Sequence, residues 1–368
     1  MCIEGPINPK PKPNPKILRP PTSRHERGPL RRAVGPLLAL VVIVVMFVFV
    51  IPRFASYGDV WGIVTNISPL WLGVLTMGAV LNVATFAPNW MVALPGLSYW
   101  QSLQLTLSGT AIANVAPFGG AVSMGIQYRM LRVWRFSTTD ASRAMVITGV
   151  WNNLVNLGLP LVGLSLLTLK GGRNAALEIS ARIGAVVFII VLAALWQVMR
   201  TEAGARKMGC WADGARNVWL RFRKQPTKGN GPEALAAFRS DSVALLKARW
   251  LALTVTTVIG VLSVFLVLAF TMRAVGVAGI DITFTEAFAA WASTRLLSTA
   301  FPVTPGGLGV VDVGLTTALR GFGAKAEPAV AAVLLYRILT WLPPIILGSI
   351  AALTWRKANP ATLNPTSV

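Results

Sequence analysis

The chain alternates long apolar stretches with short polar segments. No charged residue occurs from Val60 to Tyr128, a stretch long enough for two full membrane crossings and a helical hairpin at about 20 residues per crossing. Other apolar runs predict single spans over Ala33–Ile51, Ala144–Leu169, Ile183–Met199, Trp250–Met272 and Pro328–Trp355. The pattern predicts an all-α integral membrane protein with about six full spans.

Two pairs of shorter apolar segments predict re-entrant hairpins. Gln101–Val115 and Ala121–Trp134 would extend only about 22 and 21 Å as helices, against roughly 30 Å of hydrocarbon. Phe284–Phe301 and Gly307–Arg320 are joined in a similar way by the turn sequence PVTPGG. We expect each pair to enter and leave the membrane at the same face.

The two hairpins and the spans that follow them match each other weakly. NVAPFGGAVSMG, near residues 114–125, is similar to FPVTPGGLGVVDVG, near 301–314, and VWNNLVNLGLPLVG at 150–163 shares Leu, Pro and Gly positions with LYRILTWLPPIILG at 335–348. The charge distribution places the entry points of the hairpins on opposite faces, which predicts two inverted repeats. In inverted-repeat transporters the substrate site lies between the repeats, near the bilayer midplane.

The distribution of Lys and Arg sets the expected orientation. Of the 34 Lys and Arg residues, 25 lie in segments placed inside the cell and seven in segments placed outside, while Arg295 and Arg337 fall within the membrane. We expect a plasma (inner) membrane protein with both termini cytoplasmic. The predicted organisation is a disordered basic cytoplasmic tail (1–32), membrane repeat 1 (33–199), a basic cytoplasmic loop (200–249), membrane repeat 2 (250–355) and a short cytoplasmic tail (356–368).

Composition agrees with this picture. Hydrophobic residues make up 54% of the chain and charged residues 13%, with a mean hydropathy of +0.62, a balance typical of proteins embedded in lipid. The net charge of +21 would suit a nucleic-acid partner, but the basic residues lie in short segments between apolar runs, where they act as topology signals and contact lipid headgroups. No nucleic-acid partner is therefore expected.

The glycine turns of the two hairpins are candidate anion sites. They place Gly where the backbone bends and Pro where a helix stops, and a helix that begins at membrane depth presents N–H groups and a partial positive charge to an anion. The alternative is that small residues there let helices pack closely. The candidate substrate-binding residues in these turns are Gly119, Gly120, Ser123, Thr304, Gly306 and Gly307.

Three charged residues fall at membrane depth: Arg295, Asp312 and Arg337. A charge there costs at least a few kcal/mol and is tolerated mainly where it is paired or hydrated. Two cations and one anion leave a surplus positive charge, which suits a phosphate-bearing substrate because Arg binds phosphate oxygens through two parallel hydrogen bonds. The alternative is that Asp312 pairs with one arginine while the other extends to the interface.

Two further groups lie near the end of the first hairpin. Arg129, Arg132 and Arg135 recur at three-residue spacing and predict a basic stripe at the inner headgroup level, where general lipid anchoring is favoured over an entry gate. On the next helix, Asn152 and Asn153 are candidates for lining a polar cavity. The alternative for the amides in this helix, which also include Asn156, is hydrogen bonding between helices.

FPVTPGGLGVVDVG followed by AAVLLYRILTWLPPIILG resembles the lysylphosphatidylglycerol synthase transmembrane-region family over roughly residues 35–355. That family forms the flippase half of aminoacyl-phosphatidylglycerol synthases and also occurs alone. The resemblance implies movement of a phospholipid or related lipid between leaflets, through a cavity between inverted repeats. The first hairpin lacks the acidic residue common in relatives, and Asp312 stands where Glu is common. Aminoacyl transfer from tRNA is not expected, because no soluble domain follows Trp355.

The sequence therefore favours a flippase or transporter of an anionic phospholipid or lipid-linked envelope precursor, without cofactor or metal. One alternative is a membrane-embedded transferase on polyprenyl-phosphate-linked sugars, which would need clustered carboxylates. Another is a scaffold subunit that uses the basic loop 200–249. The expected partners are membrane lipids and the anionic lipid substrate. An envelope-synthesis protein and a second copy of the chain are further candidate partners.

Overall fold

The computed structural model describes residues 57–116, 119–169, 175–222, 231–277, 282–300 and 309–358. The described residues contain helices and no strand, which confirms the all-α class. In chain order the helices are α1 (Tyr57–Thr65), α2 (Pro69–Thr85), α3 (Ala87–Ala93), α4 (Tyr99–Val115), α5 (Gly119–Val133), α6 (Thr138–Leu169), α7 (Ala175–Arg200), α8 (Glu202–Phe222), α9 (Gly231–Ala274), α10 (Phe284–Ala300), α11 (Val310–Gly321) and α12 (Ala326–Ala358).

Helical stretches long and apolar enough to cross a membrane make this a multi-pass membrane protein. Within the described residues there are five: Pro69–Ala93, Thr138–Leu169, Arg182–Arg200, Ser242–Ala274 and Ala326–Trp355. The predicted first span, Ala33–Ile51, and the predicted tail 1–32 lie outside the described residues. Many large apolar side chains of the spans are exposed, as expected for helices that face lipid tails.

Hairpin A consists of α4 and α5, which run antiparallel in close contact. A capping box at Ser98 and Gln101 starts α4. Near the turn, a Cβ atom on Gly119 would lie 2.5 Å from the carbonyl oxygen of Ala113. Further from the turn, a Cβ on Gly109 would lie 2.1 Å from Nε2 of Gln127. Glycine at both positions therefore allows the two backbones of the hairpin to approach.

Hairpin B consists of α10 and α11, which also pack against each other. Helix α10 has 17 residues, the same length as α4, and begins 185 residues after it. Its start is capped in the same way, because Glu286 accepts from the backbone N–H of Thr283 at 2.8 Å and the Thr283 hydroxyl accepts from Glu286 N–H at 3.3 Å. The first limbs of the two hairpins thus share length and N-terminal chemistry.

Each hairpin packs against the long helix that follows the other. Helix α4 contacts α12, and α10 contacts α6. Glycine allows both approaches: a Cβ on Gly348 would lie 2.3 Å from the Leu107 carbonyl oxygen, and a Cβ on Gly163 would lie 3.0 Å from Cα of Ala289. Gly163 and Gly348 are also 185 residues apart. Two structurally equivalent repeats would make this reciprocal set of contacts. The opposite orientation of the two repeats in the membrane stays a prediction.

The hairpins also end alike. After α5, the N–H of Phe136 donates to the Leu131 carbonyl at 3.2 Å, and after α11 the N–H of Ala324 donates to the Leu319 carbonyl at 3.2 Å. Both closures are Schellman motifs, which require a residue with positive φ. That residue is Gly323 (φ 108°) in hairpin B but Arg135 (φ 66°) in hairpin A, where the left-handed conformation costs a non-glycine residue about 1 kcal/mol.

Residues 194–240 form a compact unit of their own within the described chain. Glycine allows α8 to pack closely on the start of α9, because a Cβ on Gly209 would lie 2.4 Å from the Gly231 carbonyl oxygen. Asp213 fixes this contact by accepting from the Gly231 N–H at 2.7 Å. The segment 200–249 is thus largely helical where it is described, and its assignment to the cytoplasm stays a prediction.

Candidate functional site

A cavity of about 450 Å³ lies among the helices outside the 194–240 unit. Its wall is formed by helices from both sides of the 200–249 segment: α2, α4 and α6 on the N-terminal side, and α9, α10 and α12 on the C-terminal side. Asn152 lies near the middle of the span Thr138–Leu169, and Arg337 lies near the middle of the span Ala326–Trp355. This main cavity therefore lies beside the middle of two membrane-spanning helices.

Two arginines and no carboxylate belong to the described residues that line the main cavity. Arg295 reaches it from α10 and Arg337 from α12. The remaining polar lining residues are amides, hydroxyls and an indole: Asn82, Thr106, Thr110, Asn114, Asn152, Tyr336, Thr340 and Trp341. Such a wall is electrostatically favourable for an anionic group.

Arg337 is held by the buried carboxylate of Asp312. Its Nε lies 2.7 Å and its Nη2 2.6 Å from Oδ1 of Asp312, whose residue is only 3% exposed. The other oxygen, Oδ2, accepts from the backbone N–H of Gly309 at 3.0 Å, at the start of α11. Asp312 therefore ties the start of hairpin B's second limb to α12 and orients Arg337 at the cavity wall.

Arg295 is held differently, by an amide and an aromatic ring. Its Nε donates to Oδ1 of Asn156 at 2.9 Å, and its guanidinium carbon lies 5.4 Å from the centre of the Trp291 ring, within the range of a cation–π contact. Asn156 is fixed in turn because its Nδ2 donates to the Asn152 carbonyl at 2.7 Å. Arg295 thus stays in the interior and does not extend to the interface.

Trp291 is itself rigidly placed. Its Nε1 donates to the hydroxyl of Tyr336 at 3.2 Å, and its ring packs against Phe265 and Phe288 with centroids 5.3 and 6.0 Å apart. These residues belong to the main apolar core. The aromatic support under Arg295 is therefore part of the packed interior, which favours a pre-organised cation.

The predicted trio is brought together around one cavity. Arg295 and Arg337 share its wall, and Asp312 lies directly behind Arg337. Asp312 pairs with one arginine, as the alternative sequence interpretation proposed, but the other arginine faces the cavity instead of the membrane surface.

The amides of α6 are divided between two faces of the helix. Asn152 lines the main cavity. Asn153 is exposed, and its Nδ2 donates to the Gly149 carbonyl of its own helix at 2.9 Å, so the structure does not bring it to the site. Asn156, which was not assigned to the site, contacts Arg295 instead. The four-residue spacing of Asn152 and Asn156, which places them on one helix face, is the signal that separates them from Asn153.

The glycine turn of hairpin A is placed mainly for packing. Gly119 is buried against Ala113, and Ser123 is buried beside Gly109, within hairpin A itself. Gly120 is exposed, and a Cβ added there would meet no atom within 4 Å. None of the three lines the main cavity. The close-packing interpretation fits Gly119 and Ser123 better than anion binding does.

In hairpin B, the candidates Thr304, Gly306 and Gly307 lie outside the described residues. Gly309, the first residue described after them, has φ 84° and precedes α11. Its N–H is bound by Asp312.

The three arginines at the end of hairpin A are exposed. Arg129 and Arg132 lie on α5, and Nη1 of Arg132 donates to the Phe136 carbonyl at 2.7 Å, closing the turn. Arg135 lies beyond the end of α5 in a left-handed conformation, so it does not continue the helical stripe. The set is basic and surface-exposed, as predicted, but only two of its members share a helix.

A second, smaller cavity of about 290 Å³ adjoins the main one. The two share Phe86, Thr106, Thr110 and Asn152. The rest of this side cavity is lined by Asn89, Trp90, Met124, Gln127, Met145, Thr148 and Gly149. The described lining of the side cavity contains no charged residue.

Together these features define a multi-pass helical membrane protein with an arginine-lined cavity between helices from both parts of the chain. Residues 37–348 match the family described as the lysylphosphatidylglycerol synthase TM region, and the chain belongs to that family. A comparison with curated proteins finds no match.

Proposed function

We propose that this protein moves an anionic phospholipid, or a lipid-linked envelope precursor, between the leaflets of the plasma membrane. The observation that carries the proposal is the pair Arg295 and Arg337 in the wall of one cavity, whose described lining has no carboxylate. A lipid phosphate is the anion that the bilayer itself supplies. Family membership supports a role in membrane lipid chemistry.

The two arginines differ in what holds them, and this suggests different roles. Arg337 is neutralised and oriented by Asp312, so it contributes mainly hydrogen-bond geometry. Arg295 is positioned by Asn156 and by Trp291, and it lines the cavity wall, where under the proposal it contacts the phosphate. A guanidinium group binds phosphate oxygens through two parallel N–H groups.

Transport also suits the polar chemistry of the cavity. Transport needs groups that bind and release a headgroup without reacting with it, and guanidinium, amide and hydroxyl groups provide this. Under the proposal, acyl chains stay in lipid beside the exposed apolar helix faces while the headgroup crosses through the interior. The expected cytoplasmic placement of the termini and of 200–249 follows from the Lys and Arg distribution.

Exchange of a labelled phospholipid between leaflets of proteoliposomes tests the proposal. Liposomes that contain the purified protein and only labelled phosphatidylglycerol should exchange the label between leaflets faster than protein-free liposomes, and the recovered lipid should be chemically unchanged. Recovery of a covalently altered lipid without faster exchange would favour the transferase and overturn the proposal.

A further inference from the structure

The 185-residue relationship between the two halves pairs each cavity arginine with a neutral residue. Helices α4 and α10 correspond residue for residue at this spacing, which pairs Arg295 with Thr110. Gly163 and Gly348, which make equivalent close contacts, give the same spacing for α6 and α12. That spacing pairs Arg337 with Asn152. The N-terminal half of the chain therefore contributes a hydroxyl and an amide to the cavity wall. At the equivalent positions, the C-terminal half contributes two guanidinium groups.

These neutral residues connect the two cavities. Thr110 and Asn152 line both the main and the side cavity. On α6, Thr148 lies one turn before Asn152, and Asn156 one turn after it, so one polar face extends from the side cavity to the partner of Arg295. A ligand whose phosphate contacts Arg295 and Arg337 would therefore place the rest of its headgroup in the side cavity.

The side cavity offers hydrogen bonds but no charge. Its described lining includes three amides, at Asn89, Gln127 and Asn152, which both donate and accept. Oγ1 of Thr106, which lines both cavities, is buried and makes no hydrogen bond within the described chain.

A cationic headgroup does not suit this lining. An ammonium group that leaves water needs a carboxylate or an equivalent anionic partner to offset its desolvation, and no described lining residue of either cavity is acidic. Hydroxyl groups need only neutral donors and acceptors, which the side cavity contains.

We infer that the headgroup beyond the phosphate is uncharged and rich in hydroxyls, a glycerol or a sugar, and is bound in the side cavity. This inference rests on the proposed function, since it assigns the substrate class of the same site. It distinguishes lipids such as phosphatidylglycerol from aminoacylated lipids with the same phosphate and acyl chains.

Exchange rates of two matched lipids test the inference. The purified full chain in liposomes should exchange labelled phosphatidylglycerol at least tenfold faster than its lysyl ester. Binding of short-chain forms of the same two lipids to protein in detergent, measured by calorimetry, should show the same preference without requiring transport. Equal exchange of both lipids, or equal binding of both, would overturn the inference. A binding preference without any exchange would contradict the proposed transport and support the headgroup assignment.

A charge introduced in the side cavity gives a gain-of-function test. Met145 lines this cavity, and Glu and Gln have side chains of nearly its length. Met145→Glu supplies the missing carboxylate and should raise the lysyl ester's rate relative to phosphatidylglycerol by tenfold or more, whereas Met145→Gln should not shift that ratio. Equal ratios in the two folded variants would contradict binding of the headgroup at this position.

Discussion

Arg337 lies against Asp312 with Nη2 2.6 Å from Oδ1, while Oδ2 of the same carboxylate accepts from the N–H of Gly309 at 3.0 Å. One buried side chain thus joins three parts of the site: the start of α11, the middle of α12 and the wall of the main cavity. The carboxylate fixes the position of a guanidinium that would otherwise be expensive to hold at membrane depth.

The Asp312–Arg337 pair should contribute strongly to stability. Asp312→Asn removes the charge that compensates Arg337, and breaking a buried pair on one side costs about 3–5 kcal/mol. Thermal unfolding of the purified variant in detergent should therefore occur at a clearly lower temperature. Arg337→Gln in the same background should recover part of the loss, since no uncompensated charge then remains. An unchanged unfolding temperature for Asp312→Asn would show that the pair is not a structural ion pair.

Asn156 and Asn153 provide a matched test of the amide that contacts Arg295. Asn156→Leu removes the acceptor of a charge-assisted hydrogen bond, which contributes about 1.5–3 kcal/mol, so lipid exchange should fall about tenfold. Asn153→Leu is the control: within the described chain its amide donates only to the Gly149 carbonyl of the same helix, so exchange should stay within about twofold of wild type, as is usual for an exposed residue. Equal losses in both variants would mean that α6 tolerates neither change and that Asn156 has no specific role.

The hairpins could be predicted from the sequence because their chemistry is local. The expected limb Gln101–Val115 differs from α4 only by the first turn, where the capping box at Ser98 extends the helix. Pairing of Asp312 with one of the two arginines was an alternative from the sequence, because buried charge requires compensation, but the sequence did not indicate which arginine. The sequence did not predict which residues of a helix face the cavity. Consecutive residues are separated by a rotation of about 100° about the helix axis, and this rotation distinguishes Asn152 from Asn153.

Long-range packing was also beyond the sequence alone. The Gly-Gly turn at Gly119 suits anion binding and close packing equally well as a sequence. Only the approach of Ala113 shows that the space for a side chain is already filled. The left-handed conformation of Arg135 could not be predicted either, because the Schellman closure usually has glycine at that position.

The contact of Gly348 with hairpin A should tolerate no side chain. A Cβ there would lie 2.3 Å from the Leu107 carbonyl oxygen and 2.7 Å from Cβ of Ala111, so Gly348→Ala should destabilise the fold by about 1–3 kcal/mol. Gly73→Ala is the control, since no atom lies within 4 Å of its added Cβ. It should leave stability unchanged or raise it by up to about 1 kcal/mol, because alanine favours helix. The measurement is the thermal unfolding temperature of both purified variants. Equal stability of the two would contradict the close α4–α12 contact.

The inverted orientation of the two units can be tested at their equivalent turns. Ser137 follows hairpin A and Lys325 follows hairpin B, and both are exposed beside the Schellman closures. In a chain whose native cysteines are replaced by serine, cysteine at position 325 should react with an impermeant reagent applied to intact cells. Cysteine at position 137 should react only after permeabilisation. Labelling of both positions from the same side would exclude the inverted arrangement.

The most direct test of the central claim is the phosphatidylglycerol exchange rate of Arg295→Gln in proteoliposomes, compared with Arg273→Gln. Arg295 lines the main cavity, whereas Arg273 is exposed near the end of α9. If Arg295 binds the lipid phosphate, loss of this charged contact should slow exchange at least tenfold, in line with about 1.5–3 kcal/mol. Arg295→Lys should restore only part of the rate, because the two-point geometry is lost, and Arg273→Gln should stay within about twofold of wild type, as is usual for an exposed residue. A wild-type rate in a monodisperse Arg295→Gln protein would contradict the account.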